Sequence, residues 1–253
     1  MEPKHPETDH LQNMVSSQAD RLQMAEQRLE KADIRFKETE QHYYSLVSGR
    51  QLDSSVLRLG ISEVFSHLRP VLDYCACELR DRYSTPGHRR IQTSFPIATI
   101  NDDQKAFKKS VDQNIPGLVA NHPAIFVLLE SFQFYSSANN RWLPEFRILT
   151  NGDKHEKLSL ISGLVGRGRM LEPYLGRPVY EIDAAGRTIE ELMHGSCALI
   201  PRTEPDGYEF AAAWVRFEET GRSVDGFLRR ALIGVRQILE SLKPYISQSS
   251  GCT

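Results

Sequence analysis

The sequence predicts an α+β protein: a long N-terminal antiparallel helical hairpin and helical bundle, a small antiparallel sheet and a C-terminal helix. Three patterns carry this. From Leu11 to Leu46 apolar residues recur in unbroken steps of four and three. From Val56 to Arg82 the apolar stripe is wider than a surface helix needs, so that helix must be packed on two sides. Beyond residue 160, short runs of β-forming residues with turn residues between them replace the helical period. Runs of helix followed by runs of strand point to α+β rather than alternating α/β.

Residues 1–8, with Pro3 and Pro6 and no apolar anchor, read as a tail. A long helix follows over 9–50. Its stripe runs Leu11, Val15, Gln18, Leu22, Ala25, Leu29, Ala32, Phe36, Thr39, Tyr43 and Leu46, a heptad seam with two polar members. At 1.5 Å per residue this stripe is about 55 Å long. Only one narrow side is apolar, so the helix needs a partner. The break at Ser48-Gly49 allows the chain to turn back and close the seam on the Val56 helix. The alternative is pairing through Leu11–Leu46 with a second copy or another protein.

Residues 51–160 read as a helical core. Asp53-Ser54-Ser55 caps the Val56 helix, and Pro70 inside it predicts a kink between Ser66 and Pro70. Asp73 follows one turn later beside the apolar stripe. The turn cluster Ser84-Thr85-Pro86-Gly87 ends the helix. Ile91 to Ile100 is extended, and Pro96 confines it to an edge strand or a packed irregular one. Helices are expected over Gln104–Gln113, after His122-Pro123, and over Trp142–Thr150, the last of these meeting the Val56 helix and ending before Gly152.

Residues 161–223 read as a small β-rich section, prefaced by a run from Lys157 to Val165. Further runs are Val179–Asp183, Ser196–Ile200 and Tyr208–Phe217, with Asp206-Gly207 a hairpin signal joining the last two. Thr188 to His194 reads as a short helix. The C-terminal helix, 224–246, buries Phe227, Ala231, Val235, Ile238, Leu242 and Ile246, and 247–253 is a tail.

The net charge of -2 excludes a broad electrostatic footprint for nucleic acid, leaving local basic patches at Arg80, Arg82, His88, Arg89 and Arg90 and at Arg167 and Arg169. The four cysteines form no CxxC pair, and Cys75 and Cys77 point apart on one helix; they read as reduced thiols of a cytoplasmic protein. No signal core and no stretch of ~20 apolar residues is present, so no membrane association is expected. Gly163, Gly166 and Gly168 lack the spacing and lysine of a phosphate loop, and Gly166-Arg167-Gly168-Arg169 reads as an ordinary turn. HExxH and GxSxG are absent. No metal and no cofactor is predicted.

Four pieces stand in order along the chain: Leu68-Arg69-Pro70-Val71-Leu72-Asp73-Tyr74, Phe95-Pro96-Ile97, Phe132-Gln133-Phe134-Tyr135 and Asp153-Lys154-His155-Glu156. This order resembles a loosely defined group of bacterial proteins with LRSALDHL-, FPI-, LQPY- and DKHR-like motifs, over roughly Val56 to Leu160. Tyr74 replaces the group's His and Glu156 its final Arg, so a metal-ligand role for that His does not carry over. The resemblance implies a shared fold and no particular activity.

Asp73 with Asp153, Lys154 and His155 is the first candidate site. A carboxylate on a buried helix facing cationic and titratable groups could anchor a substrate or perform acid/base work. It could equally tie two core helices in register. The second candidate is Arg82 with His88, whose spacing resembles the Arg-to-His motif of HEPN ribonucleases, although Pro86 and Gly87 lie between them; Arg187 to His194 shares that spacing. In such a pair His would move protons while Arg holds the phosphate. Two functions follow: a non-catalytic binding or scaffold module using the Leu11–Leu46 helix, or a HEPN-like metal-independent ribonuclease or toxin with RNA as its partner.

Overall fold

Helix dominates the computed structural model, which describes residues 6–47, 54–85, 93–151, 158–174, 177–181, 198–204 and 207–247. Its helices are α1 (Pro6–Val47), α2 (Ser55–Tyr83), α3 (Gln104–Asn114), α4 (Leu118–Asn121), α5 (Pro123–Ser131), α6 (Trp142–Thr150) and α7 (Val224–Ile246). Its strands are β1 (Leu158–Tyr174), β2 (Arg177–Glu181), β3 (Ala198–Glu204) and β4 (Gly207–Phe217). α1 begins at Pro6, inside the expected tail. The chain divides into two compact units: Met1–Ile34, Glu63–Gly152 and Arg230–Thr253 form the first, and Arg35–Ser62 and Asp153–Arg229 the second. Among the described residues no helix is long and apolar enough to cross a membrane.

The first unit is a helical bundle. On α1 the stripe residues Ala25, Leu29 and Ala32 are buried, and Leu22 is half-buried. On α2, Val64, Leu68, Leu72 and Leu79 are wholly covered. Arg21 donates to Asp81 at 2.8 Å, and Arg28 lies 3.1 Å from the ring of His67. As numbers rise along α1 they fall along α2, so the two helices run antiparallel, as the hairpin reading requires. A third rod was not foreseen. Glu26 pairs with Lys243 of α7 at 2.9 Å and Asp33 with Arg236 at 3.4 Å. The acid advances by seven residues while the base retreats by seven. That is the spacing of charges flanking an antiparallel heptad seam.

Around these helices lie the short ones. Phe146 of α6 meets Phe65 of α2 edge-on at 5.6 Å, the predicted contact of these two helices. The indole of Trp142 abuts Gly234 of α7, where any Cβ would collide with it. Asp103 caps α3 by accepting from the Ala106 amide at 2.8 Å. The turn after α3 needs Gly117, whose φ is +87°. Pro123 opens α5 at a position where its missing N–H costs nothing.

The second unit holds the rest of the α1 stripe. Phe36, Tyr43 and Leu46 are buried, and so is Thr39. The Thr39 hydroxyl donates to the Arg35 carbonyl at 2.7 Å, so a polar seam residue is satisfied on its own helix. Gly60 of α2 abuts Thr39 so closely that a side chain there would strike it. The four strands pair antiparallel in the order β2-β1-β4-β3. β3 and β4 meet at Glu204↔Gly207, where the Asp206-Gly207 signal placed the hairpin. The glycine-rich piece is not a turn: Gly163, Gly166 and Gly168 lie inside β1. The register slips between Leu164 and Gly166, and glycine is the residue that tolerates such a bulge. In the strand registers Arg167 stands opposite Glu209 and Arg169 opposite Glu181. The helix expected over Thr188–His194 lies outside the described residues, as do Arg187, Cys197 and Cys252.

Gly234 offers a test in which two effects oppose. In an open helix Gly→Ala stabilises by about 1 kcal/mol. Here the added methyl meets the Trp142 indole, and such overpacking costs about 1–3 kcal/mol. Gly234→Ala should therefore lower the thermal midpoint. A rise would show that α7 and α6 are not in this contact.

Candidate functional site

Among the described residues of the first unit, two groups of buried and half-buried polar side chains stand out. One organises the extended segment around Phe95-Pro96-Ile97. Phe95, Pro96, Ile97 and Ala98 are buried, yet this segment belongs to no strand pair. Its backbone groups must be met by something else, since a buried unpaired amide or carbonyl is costly. Side chains do this. Asp73 accepts from the Phe95 amide at 2.9 Å. Gln133, with no exposed surface, accepts from the Ala98 amide at 3.0 Å and donates to the Leu129 carbonyl at 2.9 Å. Arg147 donates to the Ile97 carbonyl at 2.7 Å, and Arg80 to the Thr93 hydroxyl at 2.6 Å.

Asp73 thus has a visible occupation. One carboxylate oxygen holds Phe95; the other accepts from Arg69 Nε at 3.1 Å, one turn back on α2. Its companions in the sequence reading, Asp153, Lys154 and His155, lie outside the described residues. The FPI segment and Asp73 do come together, which the spacing of the motifs along the chain could not reveal. Gln133, part of the quoted Phe132–Tyr135 piece, joins them.

The second group sits on the C-terminal half of α2 and was missed by sequence reasoning. Glu78 is 1% exposed. Its carboxylate lies 3.4 Å from Arg21 and 3.6 Å from Arg82, and neither oxygen has a hydrogen-bond partner. Burial pushes this carboxyl above its ordinary range; Arg21 and Arg82 pull the other way. Asp81 accepts from Arg21 at 2.8 Å and from both Nε and Nη2 of Arg80, at 2.9 and 2.8 Å. The signal that could have exposed the cluster is Glu78 itself, a carboxylate inside the apolar run from Cys75 to Leu79.

This geometry bears on the sequence candidates. Arg80 and Arg82, expected in a surface basic patch, keep only 12% and 11% of their side chains exposed and are engaged with Asp81 and Glu78. They pack inward because the acids beside them lie on the buried face of α2. His88, the proposed partner of Arg82, is outside the described residues, as are Arg89 and Arg90. Cys75 is buried and its thiol is pushed up to about 12, chiefly by desolvation, which holds it in the unreactive protonated form. Burial also raises Cys77. Among the described residues no group of three or more His, Cys, Asp and Glu is arranged to hold a metal ion. The first group ties an irregular segment to α2, and the second ties α1 to α2.

Two measurements check these assignments. Asp73→Ala strands the Phe95 amide and should cost about 1–3 kcal/mol, whereas Asp73→Asn keeps an acceptor and should cost less; denaturant midpoints read both. Glu78 gives a pH dependence. Its folded pKa lies above the ordinary 4.5, so the folded state holds the proton more tightly. The stability from this group is present below the unfolded value and is lost as pH rises through the folded one. Glu78→Gln should flatten that decline in the thermal midpoint. An unchanged slope would contradict the burial assigned to Glu78.

No known protein family, no curated protein and no solved structure matches this chain.

Proposed function

We propose that this chain is a non-catalytic scaffold of the cytosol, an α+β protein that self-associates through the N-terminal turns of α1. One observation supports this reading above the others: the register of the α1 neighbours. From Ala25 to Leu46 every member of the stripe is buried within the chain. At the level of Arg21 the α2 partners are Glu78 and Asp81, and α2 ends shortly beyond, at Tyr83. At the level of Glu26 the α7 partner is Lys243, and α7 ends at Ile246. α1 itself continues to Pro6, roughly 20 Å further.

Leu11, Val15, Gln18 and Leu22 carry the heptad across that stretch. Of the positions beside this stripe, Gln12, Met14 and Ala19 are uncharged, and Arg21 is paired with Glu78 and Asp81 of α2. Two copies can approach along it without like-charge repulsion, and a polar Gln18 within a seam favours one register over others. The engagement of Arg80 with half-buried Asp81 and of Arg82 with buried Glu78 also weighs toward a mechanical role and away from RNA chemistry.

Light scattering of the full chain tests this. The native protein should have the mass of a dimer, and Leu11→Glu with Val15→Glu should halve it while circular dichroism stays unchanged. A native monomer at every concentration, or a variant dimer, would overturn the reading. So would cleavage of single-stranded RNA that disappears in Arg82→Ala.

A further inference from the structure

α1 is one unbroken helix from Pro6 to Val47, and neither proline nor glycine follows Pro6 within it, so it lacks the usual residues at which a helix kinks. Its stripe is one row throughout, with members three and four apart. Within the first unit that row is already occupied from Ala25 onward. Ala25, Leu29 and Ala32 are buried; Arg21 meets Glu78 and Asp81 of α2, and Glu26 and Asp33 meet Lys243 and Arg236 of α7. Both α2 and α7 run antiparallel to α1 along the row. They end at Tyr83 and Ile246, while α1 carries the row on through Leu22, Gln18, Val15 and Leu11.

A second α1 laid along these remaining turns has two choices of direction. In the parallel one, its residues beyond Leu22 would track the row toward Ala25 and Leu29, where α2 and α7 already lie, and a continuous helix cannot step aside there. In the antiparallel one, those residues lead away past Pro6, and the second copy takes the direction of α2 and α7. Resting on the self-association proposed above, we infer that two copies of α1 pair antiparallel, with Leu11 of each against Val15 of the other.

The heptad favours this register. In an antiparallel pair the two alternating kinds of seam position face each other, and Leu11 and Gln18 are of one kind, Thr8 and Val15 of the other. With Leu11 against Val15, Gln18 meets Thr8, so apolar faces apolar and polar faces polar. Pro6 of the second copy then stops at the level of Asp20, short of the Arg21 pairs. Sliding the second copy one heptad further in would set Val15 against Gln18 and drive Pro6 to the level of Gln27, beside the Glu26–Lys243 pair. Sliding it one heptad out would set Leu11 against Thr8.

Pulsed electron resonance on the full chain tests the direction. Spin-labelled unnatural residues are placed singly at Asn13, Asp20 and Gln27, which are seven apart on the side of α1 away from the row; the native cysteines stay unlabelled. In the antiparallel pair the labels at Asn13 lie beside the two-fold axis. Each step of seven residues toward Gln27 then adds about 21 Å to the separation along the helix axis, at 1.5 Å per residue on each copy. Distances that rise from Asn13 to Asp20 to Gln27 support the inference. Equal or falling distances would overturn the antiparallel direction and leave the self-association standing. A dimer mass with no measurable distance at Asn13, or a monomer mass, would overturn both.

Discussion

A helix of 42 residues with a single narrow apolar stripe cannot stand alone in water. That constraint organises this molecule. The stripe of α1 offers alternating positions along one seam, and each buried member must meet a surface that matches it. α2 and α7 both supply such surfaces in the first unit, one through Arg21 with Asp81 and the other through Glu26 with Lys243. In the second unit the same seam is served by Gly60, which makes room for Thr39, and by Arg229, which covers Phe36.

Charge then does what apolar packing alone cannot. Apolar faces slide past each other at little cost, because one leucine resembles the next. A pair repeated at seven-residue intervals fixes how far α7 may slip along α1. Each such pair is exposed enough to contribute only about 0.2–1 kcal/mol. Their worth is in register. Deeper polar groups act differently. Gln133, Asp73 and Arg147 are side chains substituting for a neighbouring strand, and the extended Phe95 segment depends on them for backbone hydrogen bonds.

Much of the helical architecture could be read from residue spacing. The bounds of α2 and α7 follow from continuous apolar rows, the start of α3 from the Asp103 cap and the start of α5 from Pro123. Three things could not be read so easily. The glycines of β1 suggested a loop because glycine favours turns; a long strand absorbs them at a bulge instead. The α7 pairing with α1 was legible in principle, since 26 and 33 on one helix and 236 and 243 on the other share a step of seven. It escaped because the Val56 helix already offered a partner for the seam. The occupation of Asp73 was not legible at all: its main partner is a backbone amide, and any residue could have supplied that.

The central claim is that α1 is gripped by α7 as well as α2, in the register fixed by charge. A double-mutant cycle at low salt tests it most directly, using Asp33→Lys, Arg236→Glu and the two combined, read by chemical denaturation. Each reversal alone should set like charges against each other and lower stability, and the combined reversal should recover most of the loss. Losses that simply add would mean that these residues do not face one another, and the grip of α7 on α1 would have to be abandoned.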